Sequence, residues 1–260
     1  MLWTKTRLMA ATALGAVALL AGASQASAGA VFTYNPSSIP GVSSPSVTAD
    51  TQQYSDNATV VLTPSGSGAN FTETGSLNII GFQLSNVNVP APGLNTTGGY
   101  AAYLLFQGAG TQSTPTVTPA TTGMFTSLTF EMFVAPVTGP LTFSNTDAQP
   151  TGIGATTEVA AGSLIDSAVS APLGFPAANT ELTFNVLDPA FFSPQPFYNL
   201  LFSQFGTTNG EVRFTADGFV INGGGGSGAY ARRVPEPASL ALLGGALFGV
   251  AMWRRRSRGA

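Results

Sequence analysis

Cysteine and histidine are both absent from the 260 residues, and their absence excludes several classes of site. Without cysteine there is no disulfide framework, no thiolate metal site and no cysteine nucleophile. Without histidine the chain lacks the commonest general base and the commonest zinc ligand. A zinc hydrolase and a Ser-His-Asp hydrolase are therefore excluded by composition. No local motif singles out an acid as catalytic, so we expect no enzyme activity, no cofactor and no metal site.

Charged residues are also scarce, at 8% of the chain, and their placement is uneven. Between Gly29 and Tyr230 there are eleven acids and one base, Arg213, which gives a balance of −10. The other eight bases lie within the first seven residues or after Ala231. We expect no nucleic-acid partner, because phosphate contacts need a basic face. The uneven placement indicates that the body and the two ends occupy different compartments.

The body of the chain is rich in residues that disfavour helix. The sequence has 31 Gly and 18 Pro, with much Thr, Ser and Asn, while 18 Phe and 44% hydrophobic residues argue against disorder. Apolar and polar residues alternate with period 2, for example over 128–133 and 182–187. We predict an all-β extracellular domain over residues 29–222, built as a two-sheet sandwich or a jelly-roll-like fold. Residues 155–170 fit either a short helix or a strand.

The first 28 residues have the layout of a secretory signal peptide. Lys5 and Arg7 form its positive region, residues 8–20 are apolar, and Ala26 and Ala28 form a small-x-small cleavage site. We expect signal peptidase to cleave there and the secretion machinery to export the remainder. The alternative of an uncleaved anchor is disfavoured, since the apolar run is short for a membrane span.

The last part of the chain has an ordered layout. Residues 223–233 begin with the run GGGGSG and predict a flexible linker. A four-residue motif, an uncharged run over 238–253 and a basic cluster follow within residues 234–260. The motif is Val234, Pro235, Glu236 and Pro237, and the cluster is Arg254, Arg255, Arg256 and Arg258. We predict one transmembrane helix over the uncharged run, about 24 Å long, with the arginines on the cytoplasmic side.

This tail resembles the PEP-CTERM sorting signal of Gram-negative bacteria, through Pro235-Glu236-Pro237, the short span and the terminal arginines. The resemblance implies recognition by an exosortase, a membrane transpeptidase that cuts near the Pro-Glu-Pro run. It implies a protein that is first anchored in the inner membrane and then reaches the cell surface or the extracellular matrix. It also implies a host that exports polysaccharide.

One segment of the body, residues 188–200, holds three prolines among aromatic residues and cannot be a central strand. Phe191, Phe192, Phe197 and Tyr198 form a candidate aromatic surface for sugar rings or a protein partner. The alternative is that these side chains pack onto the sandwich as core, as phenylalanine usually does.

Four runs of the body, residues 31–36, 71–75, 103–108 and 191–198, resemble the ectodomain of flocculation-associated PEP-CTERM proteins. The resemblance implies a role in cell aggregation within an extracellular matrix. The predicted function is therefore that of a non-catalytic surface or matrix protein that promotes flocculation with extracellular polysaccharide. The alternatives are a structural surface-coat protein and, if two carboxylates face each other across a cleft, a carbohydrate-active enzyme.

Overall fold

The computed structural model describes residues 30–118, 120–170, 177–193, 199–205 and 211–231. The described residues form β-strands and one short 3-10 helix, Pro36–Ser38, with no α-helix among them. The strands are β1 Phe32–Tyr34, β2 Val47–Ala49, β3 Thr51–Ser65, β4 Gly68–Leu84, β5 Val87–Val89, β6 Tyr100–Gln112, β7 Thr122–Thr142, β8 Thr151–Ile153, β9 Thr157–Ser170, β10 Ala177–Leu187, β11 Phe192–Ser193, β12 Asn199–Phe205, β13 Glu211–Phe214 and β14 Gly218–Ala231. The all-β prediction is confirmed, and residues 155–170, which fitted helix or strand, lie mostly in β9.

Strand β3 illustrates how the residue pattern produces these strands. Its even-numbered side chains from Gln52 to Val60 are buried, and each alternates with a partly buried neighbour. Successive side chains of a strand point to opposite faces, so this alternation gives β3 one inner and one outer face. The inner face carries Tyr54 and Ala58 into the core.

The larger sheet is antiparallel throughout and closes on itself. Its order is β12-β10-β9-β7-β6-β4-β3-β14-β13, and β12 also pairs with β14. The long strands thus form a ring in which each one pairs with the next long strand along the chain. Opposite walls of the ring pack together as a sandwich, since side chains of β4, β6 and β7 meet those of β10. Closure gives each long strand two partners, which limits the free edges that promote aggregation.

The smaller sheet, of order β11-β1-β2, packs its apolar side chains against one end of this ring. The rings of Phe32 and Tyr230 lie 4.5 Å apart, and those of Tyr34 and Phe82 lie 4.9 Å apart. The hydroxyls of Tyr34 and Tyr230 are 2.6 Å apart, and both donate to Gln52 Oε1. The end of the ring is therefore closed by aromatic side chains whose buried hydroxyls share one acceptor.

The predicted aromatic surface is wrong for two of its four residues. Phe191 and Phe192 are fully buried, and their ring centroids lie 5.0 and 5.1 Å from that of Tyr34. The physical reason is that Phe192 lies in β11, which pairs with the edge of β1, and the preceding Phe191 is held there by a hydrogen bond from the Asn35 N–H to its carbonyl, so both rings pack against Tyr34. The core alternative therefore holds for this pair, whereas Phe197 and Tyr198 lie outside the described residues.

The glycine-rich run predicted as a linker, residues 223–233, belongs to strand β14 as far as it is described. It pairs with β3 on one side and with β12 on the other. Glycine is required there because a Cβ on Gly228 would lie 2.9 Å from the ring of Tyr54. A bulge in the same run holds Gly223 at a φ of 67°, which glycine adopts without strain. The domain therefore extends through Ala231 rather than ending at residue 222.

Candidate functional site

A cleft of about 300 Å³ lies on the outer face of the ring, where β6, β7, β9 and β10 run side by side. The small residues Ala161 and Gly162 on β9 form part of its floor. Its polar lining comes from three strands and from the loop between β7 and β8: Gln107, Thr129, Glu131, Asp147 and Asn185. All five of these side chains are exposed to solvent.

Strand register brings three of the lining residues together. Gln107 on β6 pairs with Thr129 on β7, and Glu131 on β7 pairs with Ala161 on β9. Paired residues point to the same face with Cβ atoms about 5 Å apart, and residues two positions apart on one strand share that face. The amide, the hydroxyl and the carboxylate are therefore neighbours on the outer face.

A bulge in β10 supplies the side chain on the far side of the cleft. Phe184 pairs with Gly162 and Val186 pairs with Ala161, so Asn185 is an extra residue between two adjacent pairs. A bulge of this kind re-aims a side chain relative to the regular pleat. Here it adds the exposed amide of Asn185 to the lining.

The near side of the cleft is a loop held against the sheet by side-chain hydrogen bonds. Ser76 Oγ on β4 donates to the carbonyl of Ser144 at 2.9 Å. Asn145 Nδ2 donates to the carbonyl of Ile221 at 2.6 Å and to Asn222 Oδ1 at 2.7 Å. The loop after β7 therefore crosses the outer face and is fixed to β14 on its far side.

Further along the same loop, two contacts place its acidic residue over the cleft. Gln107 Nε2 donates a hydrogen bond to Asp147 Oδ2. Tyr103, which is fully buried in a second apolar cluster on the outer face of β6, donates its hydroxyl to Gln149 Oε1. Asp147 is thus positioned by its own bond to Gln107 and by anchored residues on either side of it in the chain, Asn145 and Gln149.

The side chains that line this cleft offer hydrogen-bonding groups. Two carboxylates, two amides and a hydroxyl converge, and none of the described residues that line the cleft is basic. Across the described residues, no group of three or more carboxylates stands close enough to hold a metal ion. The cleft therefore suits a neutral or cationic ligand with several hydrogen-bonding groups.

Among the described residues, two carboxylates are buried inside the ring: Asp56 on β3 and Glu73 on β4. Glu73 on β4 is paired with Val60 on β3 and with Gly108 on β6, and it points inward. It lines two apolar cavities of about 20 and 30 Å³, each with room for a single water molecule. Burial raises the pKa of Glu73 from 4.5 to about 7. This group titrates near neutral pH within the core and has no access to a substrate-sized space.

Sequence reasoning missed the cleft and the two buried acids, Asp56 and Glu73. The lining residues come from separate strands and from a loop, so no local motif contains them. The only local signal was the outward position of Glu131 in an alternating run. For Glu73, the apolar residues at alternate positions of the same run, Phe71, Leu77 and Ile79, were a local signal for the inner face.

The predicted processing residues lie outside the described part of the chain. They comprise the cleavage site at Ala26 and Ala28, the motif from Val234 to Pro237 and the arginines from Arg254 to Arg258. In the part that is described, no helix has the length and apolar character of a membrane span.

Comparison with known protein families gives a match on this tail. Residues 233–256 match the PEP-CTERM protein-sorting motif. No curated protein and no solved structure matches the chain. The motif implies export, association with the cell surface and an exosortase as the processing partner. The chain is therefore a protein with a PEP-CTERM sorting motif, attached to an all-β sandwich whose sheet closes on itself.

Proposed function

We propose that this chain is a non-catalytic surface or matrix protein that promotes cell aggregation together with extracellular polysaccharide. The sorting motif over 233–256 carries the proposal, since it implies an exported, exosortase-processed protein. The body runs that resemble flocculation-associated proteins support the aggregation role.

The proposed route to the surface has two processing steps. Signal peptidase removes residues 1–28 during export. The uncharged run over 238–253 then holds the protein in the inner membrane until an exosortase cuts near Pro235-Glu236-Pro237. Pro235 and Pro237 flank Glu236 in the sequence, and proline is disfavoured inside a helix, so the sequence itself predicts no helix across the proposed cleavage region.

The fold favours a polymer-binding component over a self-assembling surface coat. A closed ring leaves few unpaired strand edges on which a second copy would add. The acidic body also repels its own copies at low salt. Ordered self-assembly of the purified protein into sheets or fibres would support the coat alternative instead.

A carbohydrate-active enzyme is the second candidate, because Glu131 and Asp147 line one cleft. Both carboxylates are exposed, and Asp147 already accepts a hydrogen bond from Gln107. We expect no release of reducing ends when the protein is incubated with the polysaccharide of its host. Release that disappears in Glu131→Gln would establish the enzyme.

The deciding experiment for the proposed function is deletion of the gene in the host. We expect aggregation to fall while polysaccharide secretion stays unchanged. Complementation with the intact gene should restore aggregation, and complementation with Pro235-Glu236-Pro237 changed to alanines should not. A deletion strain that aggregates as the parent does would contradict the proposal.

A further inference from the structure

We propose that the cleft formed by β6, β7, β9, β10 and the loop after β7 binds a saccharide unit that carries free hydroxyl groups and no acidic group. This inference rests on the proposed function. It adds the binding site and the class of ligand, which the proposed function does not specify. The site is the polar lining described above, around Gln107, Glu131, Asp147 and Asn185.

The lining matches the hydrogen-bonding pattern of a sugar. Neighbouring hydroxyls of a sugar ring each donate one hydrogen bond and accept others. Carboxylates supply two acceptor oxygens, and amides supply both acceptor and donor atoms from one planar group. Glu131 and Asp147 therefore accept from hydroxyls, while the Asn185 amide donates and accepts. Thr129 adds a hydroxyl that can do either.

The charge of the cleft excludes an acidic sugar. Its two carboxylates face no basic lining residue, and Arg213, the single base between Gly29 and Tyr230, lies on β13. A uronic acid or a sulfated sugar placed here would meet like charge without compensation. A neutral sugar meets no such penalty.

The cleft is prepared for its ligand before binding. Asn185 is aimed by a backbone bulge, and Asp147 is positioned by a loop fixed through Ser76 and Asn145. Groups held in place by the fold lose little conformational entropy when the ligand arrives. A volume of about 300 Å³, open to solvent, holds one unit of a polymer while the chain continues over the surface.

The test uses protein purified from its producing cells and isothermal titration calorimetry. The probes are three neutral hexasaccharides, made of glucose, mannose or galactose, and an acidic hexasaccharide made of galacturonic acid. We expect at least one neutral probe to bind and the acidic probe not to bind. Absence of binding by all three neutral probes, or equal binding of the acidic one, would overturn the proposal.

Two variants and two matched controls locate the binding site. Asn185→Ala and Glu131→Gln should each weaken binding of the neutral probe about 3- to 10-fold, because each removes or weakens one or two hydrogen bonds. Asn179→Ala on β10 and Glu211→Gln on β13 replace exposed residues of the same types outside the cleft and should change nothing. A melting temperature equal to that of the parent protein shows that a variant folds. If Asn185→Ala disturbs the bulge and fails this check, Glu131→Gln still tests the site, because glutamine has nearly the same shape as glutamate. Equal binding by the cleft variants and their controls refutes the site.

An aggregation assay separates failure of this inference from failure of the proposed function. If gene deletion abolishes aggregation and the Asn185→Ala and Glu131→Gln strains aggregate normally, the cleft is refuted while the proposed function stands. If the deletion strain aggregates normally, the proposed function is contradicted. The calorimetric binding data then decide by themselves whether the cleft binds a saccharide.

Discussion

Replacing Glu73 by glutamine should change how the stability of the domain depends on pH. Glu73 is only 7% exposed and is surrounded by apolar side chains of β7, β10 and β14. The polar groups among its cavity neighbours are Gln112 and Thr180, and neither titrates. Desolvation therefore raises the pKa of Glu73 from 4.5 to about 7 in the folded protein.

The size and the sign of the effect follow from these two pKa values. Below pH 4.5 the carboxyl is protonated in both states, and its ionisation costs the folded state nothing. Between pH 4.5 and 7 the unfolded chain releases the proton while the folded protein retains it, so the free energy of unfolding falls as pH rises. Above pH 7 the loss is complete, at about 3 kcal/mol.

Urea unfolding followed by far-UV circular dichroism measures this loss. The measurements are made at pH 4, 6 and 8, which lie below, between and above the pKa values of Glu73 in the unfolded and folded states. The quantity to compare is the stability of Glu73→Gln minus that of the parent protein. We expect this difference to rise with pH by about 3 kcal/mol, which is about 6 to 12 °C in melting temperature for a domain of this size. Glu211→Gln, which alters an exposed carboxylate on β13, should show no such rise. A difference that is flat from pH 4 to pH 8, or that falls, would refute the inward placement of Glu73.

Three further predictions concern the boundaries of the domain and its tail. A fragment of residues 29–231 should have a β-rich spectrum and melt cooperatively. A fragment of residues 29–222 should not, because it lacks the part of β14 that joins β3 to β12. Equal melting of the two fragments would support the interpretation of residues 223–233 as a linker. Gly228→Ala should lower the free energy of unfolding, measured by chemical denaturation, by about 1 to 3 kcal/mol, because the added methyl group overpacks against the buried ring of Tyr54. Gly139→Ala is the control and should be nearly neutral, since a Cβ at Gly139 meets no atom closer than 4.0 Å. Intact mass analysis of extracellular protein should show that residues 238–260 are absent; mature protein that retains them would contradict exosortase processing.

Period-2 alternation was sufficient to predict the all-β class. The run at 128–133 lies in β7, where inner and outer side chains alternate as expected. The run at 182–187 lies in β10, where the bulge at Asn185 interrupts the alternation and leaves Val186 exposed. Residues 155–170 were left open, because Ala, Ser and Thr in that run fit a short helix and a strand about equally. Pairing with β7 and β10 made most of this run a strand.

The candidate site illustrates where such reasoning stops. Glu131 and Asp147 are separated along the chain, and they share a cleft only because a loop crosses the outer face. The register that joins Gln107 to Thr129 depends on the pairing of whole strands. No local spacing encodes a meeting of this kind.

The sequence by itself determined the sorting motif, the all-β class and the acidity of the body. These properties reside in contiguous residues or in composition, so no folded context is needed to detect them. Only the tertiary structure decided that the glycine run from Gly223 is a strand, that Phe191 and Phe192 are core, and that Glu73 is buried. Each of these outcomes depends on residues that are distant in the chain. A glycine-rich segment stays extended when two neighbouring strands supply its hydrogen bonds, and these aromatic rings are buried because another sheet covers them.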